Sequence, residues 1–89
     1  MLTSQMRRAA ISVSSNIAEG ASRISKSEKK RFYEIARSSL VELDTQFEIA
    51  LSLKYAENDQ LMELKVNFAS LFKMLSKMIS NLSTPLATS

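Results

Sequence analysis

Apolar residues recur every three or four positions along three separate stretches of the 89-residue chain. This spacing places their side chains on one face of an α-helix. It predicts helices over about residues 3–20, 26–55 and 59–82, followed by a tail at 83–89. Short connections between helices make them antiparallel neighbours. The predicted fold is therefore all-α, a single domain built as an antiparallel up-and-down helical bundle.

The periodic positions also give a candidate core, with one apolar stripe on each helix. The stripe of the first helix contains Leu2, Met6, Ala9 or Ala10, Val13 and Ile17. The stripe of the second contains Tyr33, Ala36, Leu40, Leu43, Phe47 and Ala50. The stripe of the third contains Leu61, Leu64, Phe68, Leu71, Leu75, Met78 and Leu82.

Further apolar residues fall outside these stripes. They are Ile11, Ala18, Ile49, Leu53, Met62 and Phe72. A chain of this length buries only about 60–65% of the surface it exposes when unfolded, so covering such residues by self-association would add stability. The alternative is that they are scattered exposed residues of the kind that any protein surface carries.

Residues at the predicted helix ends suggest how the helices start and stop. Gly20 suits the position just after a helix, where a left-handed backbone is needed. Ser25 followed by Glu28 is typical of a capping box at the start of the second helix. Asn58 or Asp59 is the candidate cap of the third helix.

Composition excludes most catalytic chemistry. The chain has no Cys and no His, which removes disulfides, thiolates, the usual proton shuttle and the commonest transition-metal ligand. We expect no enzymatic activity, no cofactor and no metal site. No apolar run approaches the roughly 20 residues that cross a bilayer. We therefore expect no membrane association and a cytoplasmic bacterial protein.

The net charge of +3 hides a segregated distribution. Residues 1–37 carry eight basic and three acidic groups, residues 38–63 one and six, and residues 64–89 three and none. The basic part includes a cluster around the start of the second helix, where Ser hydroxyls and unpaired N–H groups would also favour phosphate. This candidate nucleic-acid cluster contains Arg23, Lys26, Lys29, Lys30 and Arg31. The alternative is a solvated face with Glu28 and Glu34 as local partners.

A second set of polar residues borders the apolar stripes. A carboxylate at Glu19 lies in the last turn of its helix, where the dipole disfavours it, so we predict a partner: Arg23, Arg37 or Arg8. Glu42 and Gln46 border the stripe of the second helix, where burial would demand hydrogen bonds. The candidate polar network, with a role in register and assembly, is Arg8, Glu19, Arg37, Glu42 and Gln46.

Three blocks of sequence carry a family resemblance: residues 2–20, residues 31–43 and residues 44–50. They resemble the four-helix-bundle proteins encoded inside intervening sequences of bacterial 23S ribosomal RNA genes. Members usually begin with one more helix, so the resemblance implies three of the four helices in this chain, with the usual first one missing. It also implies a homo-oligomer, in the form of a ring-like pentamer. The accessory proteins of diversity-generating retroelements look like relatives that bind nucleic acid and a reverse transcriptase.

These observations favour a non-enzymatic oligomeric helical scaffold that binds RNA or DNA backbone through its basic surface. The aromatic residues mostly fall on or beside the core stripes, so we expect phosphate contacts to dominate such binding. The alternative is a protein–protein interaction module that docks a protein partner through exposed apolar residues and does not bind nucleic acid.

Overall fold

The computed structural model describes residues 2–53 and 59–83 of the chain, which form three helices. Helix α1 spans Leu2–Ser22, α2 spans Lys26–Ser52 and α3 spans Asp59–Ser83. The predicted all-α fold is confirmed. The last residues of the predicted second helix, the candidate cap Asn58 and residues 84–89 of the tail lie outside the described residues, as do the side chains of Leu2 and Leu61.

Helix α2 is the central element, and α1 and α3 pack against it separately. Both pairs are antiparallel. Ser12 of α1 contacts Ser39 of α2, whereas Gly20 near the end of α1 contacts Lys29 near the start of α2. Between α2 and α3, Arg37 contacts Ser76 and Asp44 contacts Lys65. Among the described residues, no Cα atom of α1 lies within 8 Å of one in α3. The three helices therefore form an open bundle.

The core lies where side chains of all three helices meet on α2. It contains Val13 from α1, Tyr33, Ala36 and Leu40 from α2, and Leu75 and Ile79 from α3. Burial of the predicted α2 stripe is confirmed from Tyr33 to Phe47. In α1 the structure decides between two candidates, since Ala9 is buried and Ala10 is exposed.

The α3 stripe differs from its prediction in two places. Ile79, which the predicted stripe omits, is buried, and Leu64, which the stripe includes, is 39% exposed. Within the described part of the chain, the backbone of α3 approaches only that of α2, so the part of its apolar face that meets the core is covered and the rest is not. A stripe read from sequence assumes that every apolar side chain on it has a neighbour.

Gly20 has a different role from the predicted one. It lies inside α1, which continues to Ser22, so its prediction as a residue beyond the helix end is wrong. A Cβ atom at Gly20 would lie 2.6 Å from Cε1 of Tyr33. Glycine is needed there because the buried ring of Tyr33 packs directly against the α1 backbone.

The Ser25 cap is confirmed. The backbone N–H of Glu28 donates to Ser25 Oγ at 3.3 Å, and the N–H of Lys29 donates to the Ser25 carbonyl at 3.0 Å. A cap satisfies backbone donors that the first turn of a helix leaves unpaired. The start of α2 is thereby fixed, with three residues between it and the end of α1.

The apolar residues predicted to fall outside the stripes are uncovered in the single chain. Ile11 and Met62 are each 57% exposed, and Ala18, Ile49, Leu53 and Phe72 are also exposed. Other large apolar residues share this exposure: Ile24, Ile35, Val41, Val66 and Met74. The surface is thus rich in apolar side chains on all three helices.

Candidate nucleic-acid interface

The five residues of the candidate nucleic-acid cluster gather around the joint between α1 and α2. Only Arg23, Ile24 and Ser25 separate the two helices. The N–H of Arg23 donates to the Gly20 carbonyl at 3.2 Å, and Ser25 caps α2. This short turn holds the end of α1 beside the first turns of α2, so the cations from both sides share one end of the molecule.

Arg23 is engaged within the joint. Its Nη2 atom donates to Oε2 of Glu19 at 2.5 Å, which identifies Arg23 as the partner of Glu19 among the three candidates. Its Cζ atom lies 4.9 Å from the centroid of the Phe32 ring, within cation–π range. Arg23 therefore ties the last turn of α1 to the second turn of α2.

Lys29 is also engaged. Its Nζ atom donates to the carbonyl oxygens of Gly20 at 3.3 Å and Ala21 at 3.2 Å. The last carbonyls of a helix lack partners within the helix and carry the negative end of its dipole. A lysine ammonium placed there satisfies both requirements. Lys29 thus acts as a tertiary cap of α1.

The remaining three residues, Lys26, Lys30 and Arg31, are called the free cations below. None of them has an ion pair in the part of the chain that the structure describes. Lys26 and Arg31 are exposed and Lys30 is half-buried. Arg31 lies 5.8 Å from the Phe32 centroid, measured from Cζ. The structure therefore divides the cluster into two cations that hold the joint and three that have no ion pair among the described residues.

The candidate polar network is divided among three places. Glu19 belongs to the joint. Arg37 faces α3, where Nη1 donates to Ser76 Oγ at 3.1 Å and Cζ lies 5.9 Å from the Phe72 ring centroid. The other three members line one cleft between α1 and α2: Arg8, Glu42 and Gln46.

This cleft is polar and has a volume of about 450 Å³. The hydroxyl groups of Ser12 and Ser39 form a hydrogen bond across it, with 2.7 Å between their Oγ atoms. Asn16 Nδ2 donates to the Ser12 carbonyl at 2.8 Å and to Ser12 Oγ at 3.1 Å. The Oε1 atom of Gln46 is buried and has no hydrogen-bond partner in the part of the chain that the structure describes. The cleft thus contains hydrogen-bonded serine hydroxyls beside the buried Gln46 acceptor.

The sequence interpretation missed an ion-pair cluster between α2 and α3. Lys65 Nζ lies 2.8 Å from Asp44 Oδ1 and also pairs with the carboxylate of Glu48. The hydrogen bond that Lys65 donates to Asp44, followed by the one it donates to Glu48, raises the pKa of Lys65 above its ordinary value. Asp44 and Glu48 are one helical turn apart, a spacing that could have signalled a shared cation on the neighbouring helix.

No group of three or more acidic side chains among the described residues is placed to hold a metal ion. No described helix combines the length and apolar character that crossing a lipid bilayer requires.

Comparison with known families gives one match. The model of the family described as 23S rRNA-intervening sequence protein matches residues 1–77. The chain belongs to this family. No curated protein matches it. The resemblance carried by the three sequence blocks is confirmed, and the matched range of the 23S rRNA-intervening sequence protein family includes the whole joint and the free cations.

Proposed function

We propose that this protein is a non-enzymatic, cytoplasmic helical scaffold that self-associates and binds the backbone of RNA or DNA through the free cations. The observation that carries the proposal is the unpaired state of Lys26, Lys30 and Arg31 beside a rigid joint. Phosphate backbones are bound by such cations without demands on base sequence.

The rigidity of the joint supports this role. Arg23 and Lys29 are tied to α1, while Ser25 fixes the first turn of α2. The free cations therefore project from a backbone whose position is set by packing and by caps. Preorganised contacts lose less conformational entropy on binding than contacts from a flexible segment do.

Fluorescence polarisation with a labelled oligonucleotide of mixed sequence tests the proposal. The wild-type chain is expected to bind at low ionic strength and to weaken steeply as salt rises. The double variant Lys26→Glu/Lys30→Glu is expected to lose binding, because two attractive contacts become repulsive.

A matched control keeps the charge change and moves it to another helix. Lys73→Glu/Lys77→Glu alters net charge equally but leaves the joint intact, so it is expected to retain most of the affinity. Circular dichroism of both variants reports whether the helices persist. Wild-type protein that fails to bind in low salt, or equal losses in the two double variants, would contradict the proposal.

Self-association is supported by the uncovered apolar residues on all three helices. Contiguous exposed apolar surface marks interaction sites in many proteins. Light scattering at micromolar concentration tests this part. We expect an oligomer, and the family resemblance favours a pentameric ring. A monomer under these conditions would contradict the proposed self-association.

A second candidate function rests on the same apolar exposure. Ile11, Ile49 and Met62 could contact a different protein, in which case the chain would be an interaction module and the free cations would serve solubility. Pull-down with and without nuclease separates the two functions. The interaction module is favoured if a partner protein is still captured after nuclease treatment and the chain does not bind the oligonucleotide.

A further inference from the structure

An apolar groove of about 350 Å³ lies between α2 and α3, on the opposite side of α2 from the polar cleft. Leu40 and Phe68 form its floor, and Val41, Ala69 and Phe72 line its sides. Val41 is 50% exposed and Phe72 is 40% exposed. The groove exists because Ala69 ends at Cβ, whereas its neighbours along this face of α3 are large. Its size lies in the range of about 300–1,000 Å³ that small-molecule sites occupy.

The charges around the groove are of two kinds. Asp44 and Lys65 line one end and pair with each other at 2.8 Å, and Lys65 also pairs with Glu48. This end therefore holds two carboxylates for one ammonium and disfavours an anionic head group. Lys73 lines the groove as well and has no ion pair among the residues that the structure describes. Among the residues that line the groove, Lys73 is thus the one cation whose charge is not balanced by a carboxylate, and it lies two helical turns along α3 from Lys65.

We propose that this groove binds a free fatty carboxylate, with its alkyl chain over Phe68, Ala69 and Phe72 and its carboxylate beside Lys73. The charge of Lys73 selects an anionic head, and the apolar lining selects a hydrocarbon chain. The groove is a short recess between two helices, which suits one chain entering from solution better than a bilayer surface. This binding is independent of the nucleic-acid interface at the joint.

Titration of ¹⁵N-labelled protein with dodecanoate below its micellar concentration tests the proposal. Saturable shifts are expected at Val41, Ala69, Phe72 and Lys73. Ala69→Leu fills the recess and is expected to abolish these shifts. Lys73→Glu is expected to weaken binding about tenfold, since attraction of the head group becomes repulsion.

Two matched variants control for general effects. Ala18→Leu adds the same side chain at an exposed position of α1, and Lys77→Glu makes the same charge change one turn along α3 without lining the groove. Both are expected to bind dodecanoate like the wild-type chain. Dodecyltrimethylammonium, with the opposite head-group charge, is expected to leave the groove resonances unshifted.

Three outcomes would overturn the inference. Shifts spread over apolar residues of α1 and α3, equal in all variants, would show unspecific adsorption. Equal binding of the cationic amphiphile would remove the role of Lys73. A change of oligomeric size in Ala69→Leu, measured by light scattering without any dodecanoate binding to the wild-type chain, would make the groove a contact between subunits.

Discussion

Gly20 and Ala69 are both small residues at a contact with α2, and the space beside them is used in opposite ways. At Gly20 the Tyr33 ring closes onto the α1 backbone, leaving no room for a Cβ atom. At Ala69 the neighbouring side chains stay apart and an open groove remains. The first contact joins two helices tightly through one short turn. The second leaves α3 partly uncovered, with ion pairs at the edge of the contact.

The charged residues of the two regions also differ in the groups that they bind. At the joint, Arg23 and Lys29 bind groups of α1, so the cations nearest the turn are structural. Between α2 and α3, Lys65 pairs with acids one turn apart on α2. Clusters of like charge in a sequence can therefore contain residues with different roles, and tertiary contacts decide which charges remain available to a ligand.

The largest expected effect concerns the core that both regions share. Leu40 is 2% exposed and belongs to the cluster that α1 and α3 both contact. Leu40→Ala is expected to lower the free energy of unfolding by about 2–5 kcal/mol. The neighbouring Val41 points into the open groove and is 50% exposed, so Val41→Ala is expected to stay within about 0.5 kcal/mol.

Urea unfolding at one fixed protein concentration measures both changes, because self-association makes stability depend on concentration. Similar losses in the two variants would show that the groove side of α2 is as closely packed as the core.

The next effect tests the tight contact directly. In Gly20→Ala, overpacking against Tyr33 is expected to cost about 1–3 kcal/mol, with the upper part of this range favoured by the 2.6 Å approach. Alanine also gains about 1 kcal/mol in a helix interior, so we expect a net loss of about 1–2 kcal/mol in the free energy of unfolding. In a Tyr33→Leu background, the same substitution is expected to cost less, whereas Tyr33→Phe keeps the ring and should not rescue it. A stabilised Gly20→Ala variant would show that the ring can move aside freely.

The sequence was informative where the outcome does not depend on how a neighbouring helix is rotated. The α2 stripe from Tyr33 to Phe47 is buried as predicted, since α2 has neighbours on two sides. The Ser25 cap depends only on adjacent residues and was also predictable. Gly20 was not, because glycine is common both beyond helix ends and at close contacts, and only the fold shows Tyr33 beside it.

The candidate site was predictable in composition and not in roles. The cluster from Arg23 to Arg31 stands out as a run of cations, but whether Lys29 reaches the carbonyls of Gly20 and Ala21 depends on the turn that brings α1 and α2 together. Burial of Ile79 likewise depends on how α3 is rotated against α2. Periodicity gives a face of a helix, and the neighbouring helix selects the part of it that is covered.

A smaller effect is expected when the cap of α1 is removed. Lys29→Met keeps most of the apolar stem and leaves the carbonyls of Gly20 and Ala21 without their ammonium donor. We expect a loss of about 0.5–1.5 kcal/mol in the free energy of unfolding. Lys30→Met, one residue away, is the control and should stay within about 0.5 kcal/mol. Equal losses would contradict the division of the cluster into engaged and free cations.

The smallest effect concerns the ion pairs at the edge of the α2–α3 contact. Lys65→Met is expected to cost about 0.2–1 kcal/mol at neutral pH and low salt, since the pairs are partly exposed. The pKa of Lys65 is raised, so its contribution is fully present below the ordinary lysine pKa and is lost as pH rises through the raised value. Unfolding of the wild-type and Lys65→Met chains between neutral and alkaline pH measures this contribution, and their free energies of unfolding should approach each other as pH rises. Lys77 has no ion pair among the described residues, so the difference between wild type and Lys77→Met should not change with pH in this way.

The salt dependence of DNA binding tests the central claim, that the free cations bind phosphate and Lys29 does not. A plot of the logarithm of the binding constant against the logarithm of salt concentration should fall steeply for the wild-type chain on duplex DNA. Lys30→Met should reduce the slope by about 0.9, the value for one phosphate contact. Lys29→Met should leave the slope unchanged. Equal slope changes in the two variants, or a wild-type chain that does not bind at low salt, would contradict the account.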